Sequence, residues 1–437
     1  MQQPYLSLRG QKAAQTVLRS DFEIYFEAVQ NLYHPTDNPD GTFPLNIAEN
    51  KLCWPLLREK IKTISLESDI PDWVAGYTNS NGAPPFRQAL SNFMEHHLTK
   101  CTIDPEHLAV SAGATAIIEM TTQILCDPGD VAVFPVPSYP VYKQDIGNKS
   151  GIERYDLEGH SDFGELSQGP ALTIAHLEKA KSEIEAEGKR FQMLVLTSPD
   201  NPTGQVYSKE QFISIAEYCV SNEIHLVVNE IYGLSLIDQS YDQIKADYSS
   251  GRNFHSFAQV MQIQKNDYLH LWYALSKDFG ASGLRVGVVY SMNEKFIEGF
   301  TNYNAPHMVS NHTQWLFQCV FEDDEFMEHY IATNQRLLTE SYAAFSTMLK
   351  NNDIPYVPAV GSLFIWADFS RLLSENSQEA EDALWLDIYK QTGILLTPGN
   401  GFGHSGKGQF RIVYSCFPLD QLKVAINRLD VFLKSHN

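Results

Sequence analysis

Two cationic side chains, Lys277 and Arg285, stand between apolar runs in the stretch LHLWYALSKDFGASGLRVGVVYS, residues 269–291. Lys277 comes just after the run 269–275, and Arg285 directly precedes the run 286–289. The pattern predicts a buried strand, a tight loop carrying an amine and a guanidinium, and a second buried strand. A lysine withdrawn from water has a lowered pKa and is the natural amine for a Schiff base. An arginine close by offers a planar fork to a phosphate. An aldehyde and a phosphate on one ligand is the chemistry of pyridoxal phosphate (PLP). Taken alone, a lysine and an arginine at this spacing are more often a surface amine and a structural guanidinium, so the rest of the chain has to decide.

Five further stretches hold residues of matching chemistry. SAGATAI (111–117) passes from an apolar run into helical spacing through small residues. There the backbone near Ala114 and the Thr115 hydroxyl can approach an anion at a helix N-terminus. CDPGDVAVFPVPSYPVY (126–142) leads through a turn and a buried strand to Tyr139, whose ring can stack on a flat cofactor. LVLTSPDNPTG (194–204) places Asn201 beyond a strand's carboxyl end, where open α/β sheets bind ligands. HLVVNEIYG (225–233) ends a strand at Asn229, with Tyr232 following; the two suit the nitrogen and the phenolic oxygen of one ring. PGNGFGHSGKGQFRIVYS (398–415) is a glycine-rich loop feeding a strand that opens on Arg411, a fork suited to an α-carboxylate. Singly, four of these are a packing turn, a core tyrosine, an ordinary Asn–Pro turn and a salt-bridging arginine. Their order as a set is what points to a site.

The elements that must position them are legible as a rhythm. From Leu108 short apolar runs (108–111, 131–136, 193–198, 225–228, 269–275, 286–291) alternate with helical stretches (114–126, 208–221). Such alternation predicts an α/β fold with a mainly parallel sheet covered by helices. Residues 151–190 read as an acidic loop and a charged helix at the surface, and 241–262 as an insertion. Beyond about residue 325 the order is long helix (326–351), two short strands (355–358, 363–367), helix (379–391), strand (409–415) and helix (418–434), a smaller α+β unit. The expected organisation is 1–75 as an arm plus part of the small domain, 76–324 as the large domain, and 325–437 as the small one.

A length of 437 residues accommodates a large core and two domains, and 43% apolar content with 19% charged is that of a globular protein. A formal net charge of −21 argues against nucleic acid or an anionic membrane as partner. The six cysteines stand singly with no C-x-x-C pair, which is neither a zinc pattern nor a disulfide framework. A reducing cytoplasm is the expected compartment, and no metal ligand set is expected. MQQPYLSLRGQ lacks the apolar segment of a secretory leader, and no run reaches membrane-spanning length.

As a set, these stretches resemble fold-type I PLP enzymes of the aspartate aminotransferase class. NPDGTFPLNIAENKL, SAGATAIIE with CDPGDVAVFPVPSYP, HLVVNEIYGLS and YALSKDFGASGLRVG resemble more narrowly the 1-aminocyclopropane-1-carboxylate (ACC) synthase branch, in its fungal form. The resemblance implies that Lys277 carries the PLP aldehyde and then serves as base and acid at the substrate's Cα. It implies that Arg285, Ser276, Thr115 and the backbone near Ala114 hold the phosphate. Tyr139 would stack on the ring, Asn201 and Tyr232 would bond its phenolate oxygen, and Arg411 would clamp the amino-acid carboxylate. Tyr77 is similar to the tyrosine such enzymes lend to the neighbouring subunit's phosphate, which implies a homodimer with shared sites. Glu49 and Asn50 match the segment lining the substrate pocket of ACC synthases.

Three departures matter. The family carries Asp where this chain has Asn229; a carboxylate there keeps the ring nitrogen protonated so the ring can accept electrons. Losing that charge-assisted bond forfeits roughly 1–3 kcal/mol. Either the enzyme is specialised, or another group protonates the nitrogen, or the position has been altered. Ala274 replaces a usual phosphate-binding serine, and Ser80 stands where ACC synthases carry a tyrosine, which puts ring closure to ACC in doubt. The expected function is a PLP enzyme acting on an amino acid, with S-adenosylmethionine or another γ-substituted amino acid as leading substrate. An aminotransferase and a PLP-binding protein with little catalysis are the alternatives.

Overall fold

The computed structural model describes residues 5–15, 20–248 and 251–436. Its centre is a seven-stranded sheet in the spatial order Leu108–Ser111, Gly287–Ser291, Leu269–Ala274, His225–Asn229, Phe191–Thr197, Val131–Val136, Glu153–Glu158. Gly287–Ser291 runs antiparallel to both its neighbours; the other pairings are parallel. Strands His225–Asn229, Leu269–Ala274 and Gly287–Ser291 are buried along their whole length, which is why they read as unbroken apolar runs rather than alternating ones.

This direction sets the site. Ser111, Val136, Thr197, Asn229 and Ala274 all end strands that point the same way, and Arg285 directly precedes the one strand that starts at that edge. Register places Thr197 beside Asn229, Asn229 beside Trp272, and Ala274 beside Gly287. Loops 112–115, 137–141, 198–205 and 275–286 therefore converge at the carboxyl edge, the ligand-binding edge of open α/β sheets.

A second core lies under helices Asp324–Asn351, Gln378–Thr392 and Leu419–Ser435. Its sheet pairs Phe364–Asp368 antiparallel with Gln409–Val413, and Phe43–Pro44 runs parallel to Ile394–Leu395. Residues 43–45 thus belong to this smaller core, but Leu57 and Ile64 of helix Trp54–Glu67 pack into the larger one, earlier in the chain than the expected boundary at 75.

Two expectations change. Ahead of the acidic loop the stretch 151–190 holds an edge strand that was not expected, Glu153–Glu158, whose charges mask it as a strand; an edge tolerates them because one side faces solvent. Residues 355–358 form only an isolated bridge between Tyr356 and Ala367, because Pro355 and Pro358 remove the donors a ladder needs. Among the described residues no helix is long and apolar enough to cross a membrane.

Candidate active site

A cavity of about 310 Å³ opens at the carboxyl edge. Lys277 enters it from the short helix Leu275–Asp278, directly after strand Leu269–Ala274. Protein surrounds the amine, yet its side chain stays partly accessible through the cavity. Burial, and next the Arg411 guanidinium, bring its pKa down to about 8, and Nζ donates to the Ala48 carbonyl at 2.5 Å. The next residue anchors the loop from behind: the Asp278 carboxylate accepts from Ser235 Oγ at 2.6 Å and from the Leu234 N–H at 3.1 Å.

One end of the cavity is built for an anion. Helix Ala114–Leu125 starts there with no acidic residue in its first turn, and Thr115, Ser276, Ser282 and Arg285 line the wall beside it. Arg285 is held by Nη1–H donation to the Ser282 carbonyl at 2.9 Å and Nη2–H donation to the Ala112 carbonyl at 3.3 Å. Gly113 has φ +93°, and a Cβ there would lie 2.3 Å from Arg285 Nη2, so glycine is required for both conformation and clearance. Helix N–H groups and a guanidinium converging on one point is the arrangement that binds phosphate.

Tyr142, Asn229, Thr197, Ile118 and Asp145 also line the cavity. Asn229 Nδ2 donates to Tyr142 Oη at 2.9 Å, Tyr142 Oη lies 3.1 Å from Thr197 Oγ1, and Asn229 Oδ1 accepts the Ile231 N–H at 3.2 Å. Tyr139 meets Tyr142 edge-on, with ring centroids 5.2 Å apart. A third group joins the two cores: Asn201 Nδ2 donates to Tyr232 Oη at 3.5 Å, and Arg411 Nη1 donates to Asn201 Oδ1 at 2.9 Å. Arg411 also donates from Nη2 to the Asn46 carbonyl at 2.7 Å and lies over the Phe364 ring, 4.5 Å from its centroid. A guanidinium already fixed on three sides by protein is oriented before any carboxylate arrives.

The sequence profile of the family described as aminotransferase class I and II matches residues 44–429. The chain belongs to this family. ACC synthase 6 of Arabidopsis thaliana is 30% identical over 414 residues, covering 92% of this chain and 80% of that protein. An ACC synthase of Malus domestica is 30% identical over 416 residues, covering 93% and 86%. Among solved structures, the aspartate aminotransferase of Thermus thermophilus with maleate superposes with a TM-score of 0.78 at 18% identity, covering 98% of this chain and 100% of that one. An archaeal alanine:glyoxylate aminotransferase gives 0.80 at 16%, covering 99% and 98%. Those two similarities establish the shared fold. Membership makes the protein a PLP-dependent enzyme, a lyase or transferase of fold type I.

The residues present fit that cofactor. The cavity brings together Ala114, Thr115, Tyr139, Asn201, Asn229, Tyr232, Ser276, Lys277, Arg285, Arg411 and Glu49: a depressed lysine, an anion cradle, an aromatic wall and a guanidinium. Glu49 lines the cavity while pairing with Lys51 at 3.1 Å. Asn50 does not line it, contrary to expectation: Nδ2 donates to Asn334 Oδ1 at 2.8 Å and Oδ1 accepts the Leu52 N–H, so the side chain ties the loop down. Tyr77 is absent from its own chain's cavity and is fully exposed. Ala274 is buried in the smaller core's cluster, and the Ser80 hydroxyl donates to the Thr301 carbonyl, away from the cavity. Tyr142, Thr197, Asp145, Phe22 and the 46–48 backbone were not singled out from sequence. Tyr142 had a usable signal, three residues after Tyr139; the others depend on chain segments that meet only in the fold.

Proposed function

We propose that this enzyme activates an amino acid at Cα and then loses a γ-substituent from it, by elimination, replacement or cyclisation. S-adenosylmethionine or a similarly γ-substituted amino acid is the proposed substrate. The observation that carries this reading is Asn229: a neutral amide, hydrogen-bonded to Tyr142, stands where a carboxylate would favour full transamination. The named relatives are ACC synthases, which points the same way.

When bound, PLP supplies the electron sink for charge left at Cα. Lys277 would hold the aldehyde and, as a free amine, would take the Cα proton; an amine with a pKa near 8 is matched to both tasks. Arg411, already oriented by Asn201 and the Asn46 carbonyl, holds the substrate carboxylate. Arg285, Ser276, Thr115 and the N–H groups at Ala114 hold the phosphate. Ser80 disfavours cyclisation to ACC within this set of outcomes. Full exposure of Tyr77 supports a homodimer in which it serves the neighbouring site.

Mass spectrometry of products after offering S-adenosylmethionine and a panel of amino acids tests the reading. Release of methylthioadenosine is the expected result. Accumulation of the aminated cofactor with a keto acid, and no methylthioadenosine, would overturn it in favour of an aminotransferase.

A further inference from the structure

Asp145 is a carboxyl that the proposed reaction leaves without a task. It lies in the short helix Tyr142–Gly147, three residues after Tyr142, and is 9% exposed. Its side chain lines the cavity, and its Oδ2 is buried with no hydrogen-bond partner. Other buried carboxyls in the protein are treated differently. Asp200 accepts from Thr203 Oγ1 at 2.7 Å, Glu230 from Ser256 Oγ at 2.7 Å and from the Phe257 N–H at 2.5 Å, and Asp278 from Ser235 Oγ and the Leu234 N–H. Glu230 and Asp278 each tie two chain segments together, and Asp200 closes its own turn. Asp145 Oδ2 ties nothing, and a buried carboxyl oxygen without a partner is unfavourable unless a ligand atom completes it.

Its place in the cavity says which ligand atom. On the proposed reading the phosphate belongs at the N-terminus of helix Ala114–Leu125; Ile118, one turn deeper on that helix, shares a buried cluster with Tyr142, which sits on the helix of Asp145 and is bonded by Asn229, and all four residues line the cavity. This is the end where a ring nitrogen facing residue 229 must sit, and residue 229 is an amide that cannot hold a proton by charge.

We propose that Asp145 is the acid of the ring-nitrogen end, passing its carboxyl proton to the pyridine nitrogen of PLP and remaining as the paired carboxylate. The O–H bond breaks as the N–H bond forms, and no other reactant is needed. The inference rests on the PLP reading above. Burial, reinforced by the Glu119 carboxylate, moves the Asp145 pKa up to about 7, so the group carries a transferable proton near neutrality. The ionisable neighbours are Glu119 on helix Ala114–Leu125, itself 2.8 Å from Lys149 and 3.9 Å from His307, and Tyr142 on the helix of Asp145 itself. Strand His225–Asn229 presents the neutral Asn229 to this end.

Nitrogen-15 NMR of holoenzyme loaded with ring-labelled PLP tests the assignment at slightly acidic pH. The wild type is expected to show the shift of a protonated pyridine, Asp145→Asn that of an unprotonated one, and Asp145→Asn with Asn229→Asp the protonated shift again. A protonated shift retained in Asp145→Asn, or an unprotonated wild type, overturns the proposal. Asp145→Ser is read in the same way should the amide variant fail to fold. Borohydride trapping on the same samples separates the two readings. No adduct on wild-type Lys277 overturns the PLP reading itself, whereas an adduct with an unchanged nitrogen shift overturns only the role of Asp145.

Discussion

The two ends of the cavity are built on opposite plans. At the proposed phosphate end a ligand's charge would be met by a helix N-terminus, two serine hydroxyls and an arginine held by the Ser282 and Ala112 carbonyls. At the ring-nitrogen end the side chains bond mainly to one another, Asn229 to Tyr142 and Tyr142 to Thr197, and the one carboxyl present has an oxygen without a partner. The first plan binds; it is insensitive to which reaction follows, since a phosphate keeps its charge throughout. The second, on the proposed reading, would govern how much electron density the ring can take, and it is where the resemblance leads to the expectation of a carboxylate rather than Asn229. Binding and reactivity are thus separable here, a few residues apart along the same helix and loop.

Lys277 stands between the ends, and its loss is expected to have the largest effect. Lys277→Ala should abolish the borohydride-stable adduct and lower turnover by roughly 10²–10⁴-fold or more; mass mapping of the reduced protein checks the first, steady-state kinetics the second. Retention of the adduct elsewhere would remove the lysine from the centre of the comparison. Next, Arg285→Ala should weaken cofactor affinity by about 1.5–3 kcal/mol, the range for hydrogen bonds to charged groups. Turnover at saturating PLP should change far less, as read by cofactor titration beside kinetics. An equal fall in turnover would mean that the two ends are coupled.

The smallest effect is on stability without cofactor. The folded protein holds the Asp145 proton up to about pH 7, whereas the unfolded chain has released it by the ordinary carboxylate range. The folded state therefore binds more protons across that window, and stability falls as pH rises through it. Asp145→Asn should stabilise the apo-protein at pH 8 by about 1–3 kcal/mol, and lose that advantage near pH 4. Thermal unfolding at the two pH values decides; a variant less stable at pH 8 would show that the carboxyl has a structural partner after all.

Much of the site was legible because several of its residues sit at or just beyond a strand's carboxyl end, where an apolar run stops abruptly at a polar side chain. Lys277, Asn229 and Asn201 are of this kind, and so is the small-residue turn before Thr115. The edge strand Glu153–Glu158 was not legible, because its charged residues hide the apolar run expected of a parallel strand. Asn50 was misplaced for a different reason. A motif fixes where a residue lies in sequence, but the Asn334 amide that captures its side chain comes from a helix 284 residues further on.

The sequence by itself determined the alternation of the inner strands with helices, the lysine–arginine pair, and the amide at 229, since these follow from local periodicity and residue chemistry. Only the tertiary structure decided that Arg411 reaches across to Asn201, that Tyr142 occupies the amide of Asn229, and that Asp145 lines the cavity with its Oδ2 buried and without a partner. Those facts depend on burial and on which side chains meet. Both arise when distant segments pack together and exclude water, and neither is encoded in any single stretch of chain.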